Sequence, residues 1–369
     1  MPYPGPLMTA RAMNRAFRPL AALIERRVSQ GLVPGAVVAV GRARATPFLR
    51  AFGHRALRPR RERMTERTIL DLASLTKVMV TAPLVVERAS RREISLLDPL
   101  DRHLAETRGT RIGPIPLHML LTHTAGFQAD NPLEDYAGSK ADLLAAIARE
   151  PLESEPGAAF RYSDVGYILL QLVLERIERR RLDRLAEAEI FRPLRFRDTR
   201  FGTAPEDRPR CAPTEAVAGR WLRGRVHDPR ARAAALRGIG GHAGMFGTAA
   251  EVARFCSMIL GRGVQDGRRV LSEETIRGMT TDQCGGNLGV RRGFGFDIES
   301  PYSTPRGRSF SAHSFGHTGW TGVSLWIDPD LDGYLVLLTN SVHPGGHKDL
   351  KQFRADAATL AGEALRAKG

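Results

Sequence analysis

Asp71-Leu72-Ala73-Ser74-Leu75-Thr76-Lys77 sets a serine and a lysine three residues apart at the expected start of a helix, where the two side chains share one helix face. A serine hydroxyl is a poor nucleophile unless a neighbour takes its proton, and a desolvated lysine amine is one of the few groups that can. The helix start adds free N–H groups that can hold a developing oxyanion, and its positive end works to lower the ammonium pKa. The tetrad alone is a weak motif. With sixteen serines and five lysines in 369 residues, chance supplies about 0.2 such pairs, and an ordinary exposed helix start looks the same. Its meaning depends on what else the chain carries.

The chain is 42% hydrophobic and 26% charged, the balance of a globular protein, and long enough for two lobes. Its longest apolar runs, such as Ala36-Val37-Val38-Ala39-Val40, are far too short to span a bilayer. Arg11, Arg15, Arg18, Arg26 and Arg27 are not followed by the apolar core of a secretory signal, which predicts a cytoplasmic protein, or a periplasmic one if the chain has been trimmed. Cys211, Cys256 and Cys284 are odd in number and widely spaced; they are expected as buried thiols, not as a disulfide framework or a metal site. The net charge of +15 raises the question of nucleic acid. Yet the arginine clusters at 58–63 and 176–184 are interleaved with acids, only five of the 55 basic residues are lysine, and no recognised nucleic-acid motif accompanies them, so nucleic-acid binding is not expected.

Along the chain, Phe17, Leu20, Ile24 and Val28 recur at helical spacing, followed by strands over 35–42 and 48–52 with a turn around Thr46-Pro47. Val78 to Val86 is apolar all round and reads as a buried helix that Pro83 should kink. Helices and polar loops continue to about 250, with a capping box at Ser139 and Asp142 and buried helices over 165–177 and 251–260. The passage from Thr199 to Gly247 is rich in Pro, Gly and Arg and shows no period, which predicts functional loop. Strands return at 322–327 and 334–340 around Asp328-Pro329-Asp330-Leu331-Asp332-Gly333. A last helix carries Leu350, Phe353, Ala357, Leu360 and Ala364 on one stripe. The expected fold is therefore mixed α/β (α+β): one antiparallel sheet completed by both termini, with an α/β lobe over about 15–70 and 285–369 and a mainly helical lobe inserted over about 71–284. A site belongs in the cleft between them.

Ser74-Leu75-Thr76-Lys77, Tyr162-Ser163-Asp164 and His317-Thr318-Gly319 follow one another in the order of three known active-site motifs. With Leu120-Leu121-Thr122-His123-Thr124-Ala125-Gly126, Gly241-His242-Ala243-Gly244-Met245-Phe246 and the run from Phe315 to Gly322, the chain resembles the serine β-lactamase and penicillin-binding-protein superfamily, class C-like branch, from about 17 to 365. Ala212-Pro213-Thr214-Glu215, Val226-His227-Asp228 and Ser324 to Pro329 are similar to phrases of a bacterial subgroup of esterases and murein-related amidases.

The resemblance implies a β-lactamase/transpeptidase-like fold and a cofactor-free serine hydrolase that acts through an acyl-enzyme on small esters or amides. Ser74 is the implied nucleophile. Lys77 and Tyr162 are the implied proton-handling partners, and the backbone N–H groups of Ser74 and Trp320, beside Gly319, the implied oxyanion hole. Alternatives are β-lactamase or D,D-carboxypeptidase activity and a non-catalytic binder of peptidoglycan fragments.

Two positions depart from the usual motifs. Asp164 stands where asparagine is usual, and a carboxylate there should raise the Lys77 pKa and favour Tyr162 as base. His317 replaces the lysine that anchors a penicillin carboxylate; an imidazole is largely neutral at pH 7, which favours a neutral substrate. Taken singly, Tyr162 also reads as a buried phenol bonded to a carbonyl, and Asp164 as a helix cap. His313 and His317 lie in strand context with Gly316 between them, so no metal site is expected. His227, Asp228 and His242 are candidate cleft residues or loop-stabilising partners.

Overall fold

The computed structural model describes residues 15–286, 288–302 and 304–367; the first fourteen residues, Arg11 among them, lie outside this set. The run Ala36–Val40 is continuously apolar because its strand is covered on both faces. Gly35–Arg42 lies inside an eight-stranded sheet, between Gly333–Thr339 on one side and Ala45–Ala56 on the other. Beyond Gly333–Thr339 come Ser324–Asp328, Phe315–Thr318, Asp297–Glu299 and Arg291–Arg292, and beyond Ala45–Ala56 comes Glu62–Arg63. Every neighbouring pair is antiparallel.

Strand alternation divides the run between two cores. Ala36, Val38 and Val40 pack with Phe17, just before the first helix, with Leu20 and Ile24 of that helix, Arg18–Ser29, and with Phe353, Ala357 and Ala361 of the last, Lys351–Arg366. Val37 and Ala39 face a larger core built on the helices Ala82–Ser90, Asp164–Glu178 and Ala249–Leu260. The mixed fold with its sheet drawn from both ends of the chain is as expected. Among the described residues no helix is long and apolar enough to cross a membrane.

Several local expectations are corrected. The second strand begins at Ala45, so the turn falls at Ala43-Arg44 and not at Thr46-Pro47. The helix after Ser74 widens into a π-turn over Lys77–Thr81 and resumes as α-helix at Ala82, with Pro83 in the first turn of the resumed segment. The missing proline N–H thus falls at a change of ladder register, where it removes no regular i to i−4 bond. Cys211 and Cys256 are buried, but Cys284 is only half-buried.

The passage 199–247 is not bare loop. Arg200–Phe201 and Met245–Gly247 join Leu70–Asp71 in a small three-stranded sheet, and Pro213–Val217 pairs with Arg220–Arg223 as a hairpin. That small sheet brings the Gly241–Phe246 phrase against the segment preceding Ser74.

Candidate active site

Ser74 lies one residue before the helix that opens at Leu75, and its turn is set by Ala73, which takes a left-handed φ of 45°. Such a φ costs a residue with a Cβ about 1 kcal/mol or more, so the surroundings must hold it. Ala73 N–H donates to Asp71 Oδ1 at 2.9 Å, and Leu72 N–H to the Met245 carbonyl at 2.9 Å.

One helical turn on, Lys77 is fully buried. Its Nζ donates to Ser74 Oγ at 3.0 Å and to the His242 carbonyl at 3.1 Å, and lies 2.7 Å from Asp164 Oδ1. It also sits 5.1 Å from the centre of the Tyr162 ring. Burial by itself would lower the Lys77 pKa, but Asp164, then Tyr162, outweigh it and carry it above its ordinary value. The net shift is thus opposite in direction to the lowering expected from the helix end. The raising expected from Asp164 is what the geometry gives.

Tyr162, Ser163 and Asp164 arrive together because the helix Asp164–Glu178 begins there, with Ser163 as N-cap accepting from Val165 N–H. Asp164 is the first helical residue, not the cap, and its carboxylate is spent on Lys77. Behind Tyr162 lies His123, buried and stacked on the phenol ring at 4.4 Å, with Nδ1 accepting from Ser163 N–H at 3.1 Å. Burial, then the cations of Arg292 and Lys77, hold His123 well below the usual imidazole pKa.

The third motif reaches the same point. An added Cβ on Gly319 would come within 2.6 Å of Val323 Cγ2 and 3.1 Å of both the Ala73 Cβ and the Leu72 carbonyl, so a larger residue would press this strand end away from the turn that carries Ser74. Among the described residues the backbone N–H groups of Ser74 and Trp320 have no protein acceptor, and both residues line one cleft of about 620 Å³. The Trp320 side chain is 56% exposed at the cleft mouth and stacks on His347 at 3.9 Å. His317 lines the cleft, buried, with Nδ1–H donating to the Thr318 carbonyl at 2.7 Å. Burial, then Lys77 and Arg292, keep it far below the ordinary imidazole pKa and hence neutral.

His227 and Asp228 line the cleft, whereas the His242 imidazole does not; it is buried behind the wall with Nε2 3.0 Å from Asp228 Oδ1. What His242 offers the site is its carbonyl, which accepts from Lys77 Nζ. Burial would raise the Asp228 carboxyl, but His242 overrides this and pulls it well below the usual range.

One ligand atom from each of Asp164, Asp228 and His242 lies within 4.8 Å of the others. With the Lys77 ammonium 2.7 Å from Asp164, like-charge repulsion makes the set a poor divalent-cation site. His313 is exposed and pairs with Asp330 at 2.9 Å, away from His317.

Residues not singled out from sequence also shape the cleft: Asp71, His123, Arg292, Tyr302 and Arg354. An acid three positions before the serine and a histidine inside the Leu120–Gly126 phrase were the available signals for the first two.

Comparison with known proteins gives a consistent result. The family model described as "Beta-lactamase" matches residues 20–359. A "Putative D-alanyl-D-alanine carboxypeptidase" of Salmonella enteritidis PT4 (strain P125109) is 31% identical over 314 residues, covering 76% of this chain and 71% of its own. The protein of the same name from Escherichia coli (strain K12) is 29% identical over 308 residues, covering 76% and 70%. Among solved structures, "EstCE1, a hydrolase with promiscuous acyltransferase activity" superposes with a TM-score of 0.75 at 21% identity, covering 95% of this chain and 99% of that one. A class C beta-lactamase superposes with a TM-score of 0.77 at 16% identity, covering 97% and 98%.

Proposed function

Because the chain belongs to the beta-lactamase family and is thereby a serine hydrolase of ester or amide bonds, we propose that Ser74 is its nucleophile and that its substrate is a small ester or amide, uncharged where it meets His317. The carrying observation is the contact of Lys77 Nζ with both Ser74 Oγ, at 3.0 Å, and Asp164, at 2.7 Å. An ammonium held by a carboxylate orients the hydroxyl but does not take its proton. Tyr162, starting as the phenolate whose charge the ammonium balances, takes that proton and becomes the neutral phenol as Ser74 Oγ bonds to the substrate carbonyl carbon. The oxyanion lies between the N–H groups of Ser74 and Trp320. Collapse breaks the bond to the leaving alcohol or amine, which carries the proton away, and water releases the acyl group by the reverse exchange.

The test is incubation with a fluorophosphonate and with a nitrophenyl ester, followed by peptide mass analysis. The adduct is expected on Ser74, and Ser74→Ala is expected to abolish both labelling and turnover. An adduct elsewhere, or full turnover in the variant, refutes the assignment.

A second reading, D-alanyl-D-alanine carboxypeptidase, is supported by the names of the relatives and by Arg354. This cleft-lining guanidinium has no acidic partner within 4 Å among the described residues, and its Nε has no acceptor. Burial pulls it down to about 10. Faster hydrolysis of an acyl-D-alanyl-D-alanine peptide than of the same peptide amidated at its C-terminus supports this reading, while equal rates support the neutral substrate. Brisk turnover of a chromogenic cephalosporin would show that a lysine at position 317 is dispensable.

A further inference from the structure

Asp71 is a carboxylate with 3% exposure and no ion pair to a lysine or arginine among the described residues. A charge so placed is expensive unless its hydrogen bonds are well made. Here they go to backbone. Oδ1 accepts the Ala73 N–H at 2.9 Å and Oδ2 the His227 N–H at 2.7 Å, while the Asp71 carbonyl accepts Thr321 Oγ–H at 2.8 Å. The three donors belong to three different parts of the cleft: the turn before Ser74, the wall bearing His227 and Asp228, and the loop carrying Trp320. Ala73, the first of them, is the residue held left-handed at a φ of 45°.

We propose that Asp71 is a positioning residue: its carboxylate locks the left-handed turn at Ala73 that aims Ser74 Oγ and N–H into the cleft, and its carbonyl ties that turn to the loop bearing the Trp320 N–H. The two oxyanion donors, some 250 residues apart in sequence, are thereby held at one separation by one amino acid. Asp71 touches neither substrate nor reacting atom and acts through Ala73, His227 and Thr321. Burial raises its carboxyl, with the His227 and Ala73 N–H groups pulling the other way, so the site retains an acid where an apolar residue would be cheaper to bury.

Asn at 71 keeps the shape but turns an NH₂ toward one of two N–H donors, so one link must break. This inference rests on Ser74 being the nucleophile, and the experiment separates the two claims. Fluorophosphonate labelling of Ser74 and ester turnover are measured for the wild-type chain, Asp71→Asn, Asp71→Asn with Ala73→Gly, and Thr321→Val, with folded fractions matched by circular dichroism. Asp71→Asn is expected to label about 10²-fold more slowly, the scale of a misplaced reacting group, with the loss in kcat and KM little changed. Ala73→Gly in that background is expected to recover about 10-fold, since glycine takes the left-handed turn without help. Thr321→Val is expected to reduce kcat about 10-fold by loosening the second donor alone.

Unchanged labelling in Asp71→Asn, or a loss that Ala73→Gly does not recover, overturns the proposal. Should Asp71→Asn not fold, an unaltered kcat in Thr321→Val overturns it instead. Failure of the wild-type chain to label at Ser74 refutes the nucleophile assignment and, with it, this inference.

Discussion

Lys77, His123 and His317 crowd three ionisable side chains around the Tyr162 ring, and the protein settles the conflict by giving the charge to the lysine. Asp164 fixes the ammonium, and burial first, with Arg292 and that ammonium after it, keeps both imidazoles neutral. The consequence for stability has a definite sign. Unfolded, the two histidines titrate near the ordinary value of about 6.5. Folded, their pKa is depressed, so the native state binds fewer protons, and their contribution is complete above about pH 6.5 and lost as pH falls below it. Urea midpoints are expected to drop between pH 7 and 5.5, each histidine contributing up to about 1.4 kcal/mol per pH unit. His123→Gln and His317→Gln should each flatten that slope relative to the wild-type chain, and parallel pH curves would show that the imidazoles are not held neutral.

The serine, lysine and tyrosine were legible from sequence because each sits in a short motif with a chemical reason for its neighbours. Asp71 was not, because its partners are backbone N–H groups, and any segment can supply those. Of the two readings open for His242, the side chain takes the loop-stabilising one, with Nε2 3.0 Å from Asp228 Oδ1, while its carbonyl faces Lys77, which no motif announces.

At the scale of single elements, what is held by its own sequence was readable and what is held by distant partners was not. The capping box is the first kind. Ser139 Oγ accepts from Asp142 N–H at 3.2 Å and Asp142 Oδ2 accepts from Ser139 N–H at 2.8 Å. Ser139→Ala is expected to cost about 1 kcal/mol in a denaturant titration and to leave ester turnover at the wild-type rate; no change in midpoint would mean that the helix Lys140–Ile147 is held by packing alone. The strands Arg200–Phe201 and Met245–Gly247 are the second kind. At two and three residues they have no period to detect; Met245–Gly247 exists as a strand because Leu70–Asp71 pairs with it on one side and Arg200–Phe201 on the other. Pro83 stands between these cases. Its disruption of a helix was foreseeable, but the π-turn that absorbs it depends on the packing around Lys77–Thr81.

Across the whole molecule, the buried Arg88 ties the helix that follows Ser74 to the far side of the helical region. Its guanidinium meets Glu178, Glu189 at 2.6 Å and Glu93 at 3.1 Å. Glu178 ends the helix that begins at Asp164, so both helices bearing motif residues share this one cation. Arg88→Met would leave carboxylates without their counter-charge and is expected to destabilise the fold by about 3 kcal/mol, the cost of breaking a buried pair from one side. The thermal midpoint should fall well before Ser74 labelling does at ambient temperature. A midpoint within error of the wild-type value would mean that water replaces the cation without penalty.

The pairing of Gly35–Arg42 with Gly333–Thr339 also bears on how the chain is made. The ribosome releases the inner strand roughly 300 residues ahead of its hydrogen-bonding neighbour; at about 5–20 residues per second the wait is of the order of 15–60 s. For that interval Val37, Val38 and Val40 have a hairpin mate on one side only, and the open edge is apolar along its length. Slowed elongation or a premature stop late in translation would thus prolong exposure of a sticky strand, and a holdase chaperone that binds extended apolar segments would find its best target there.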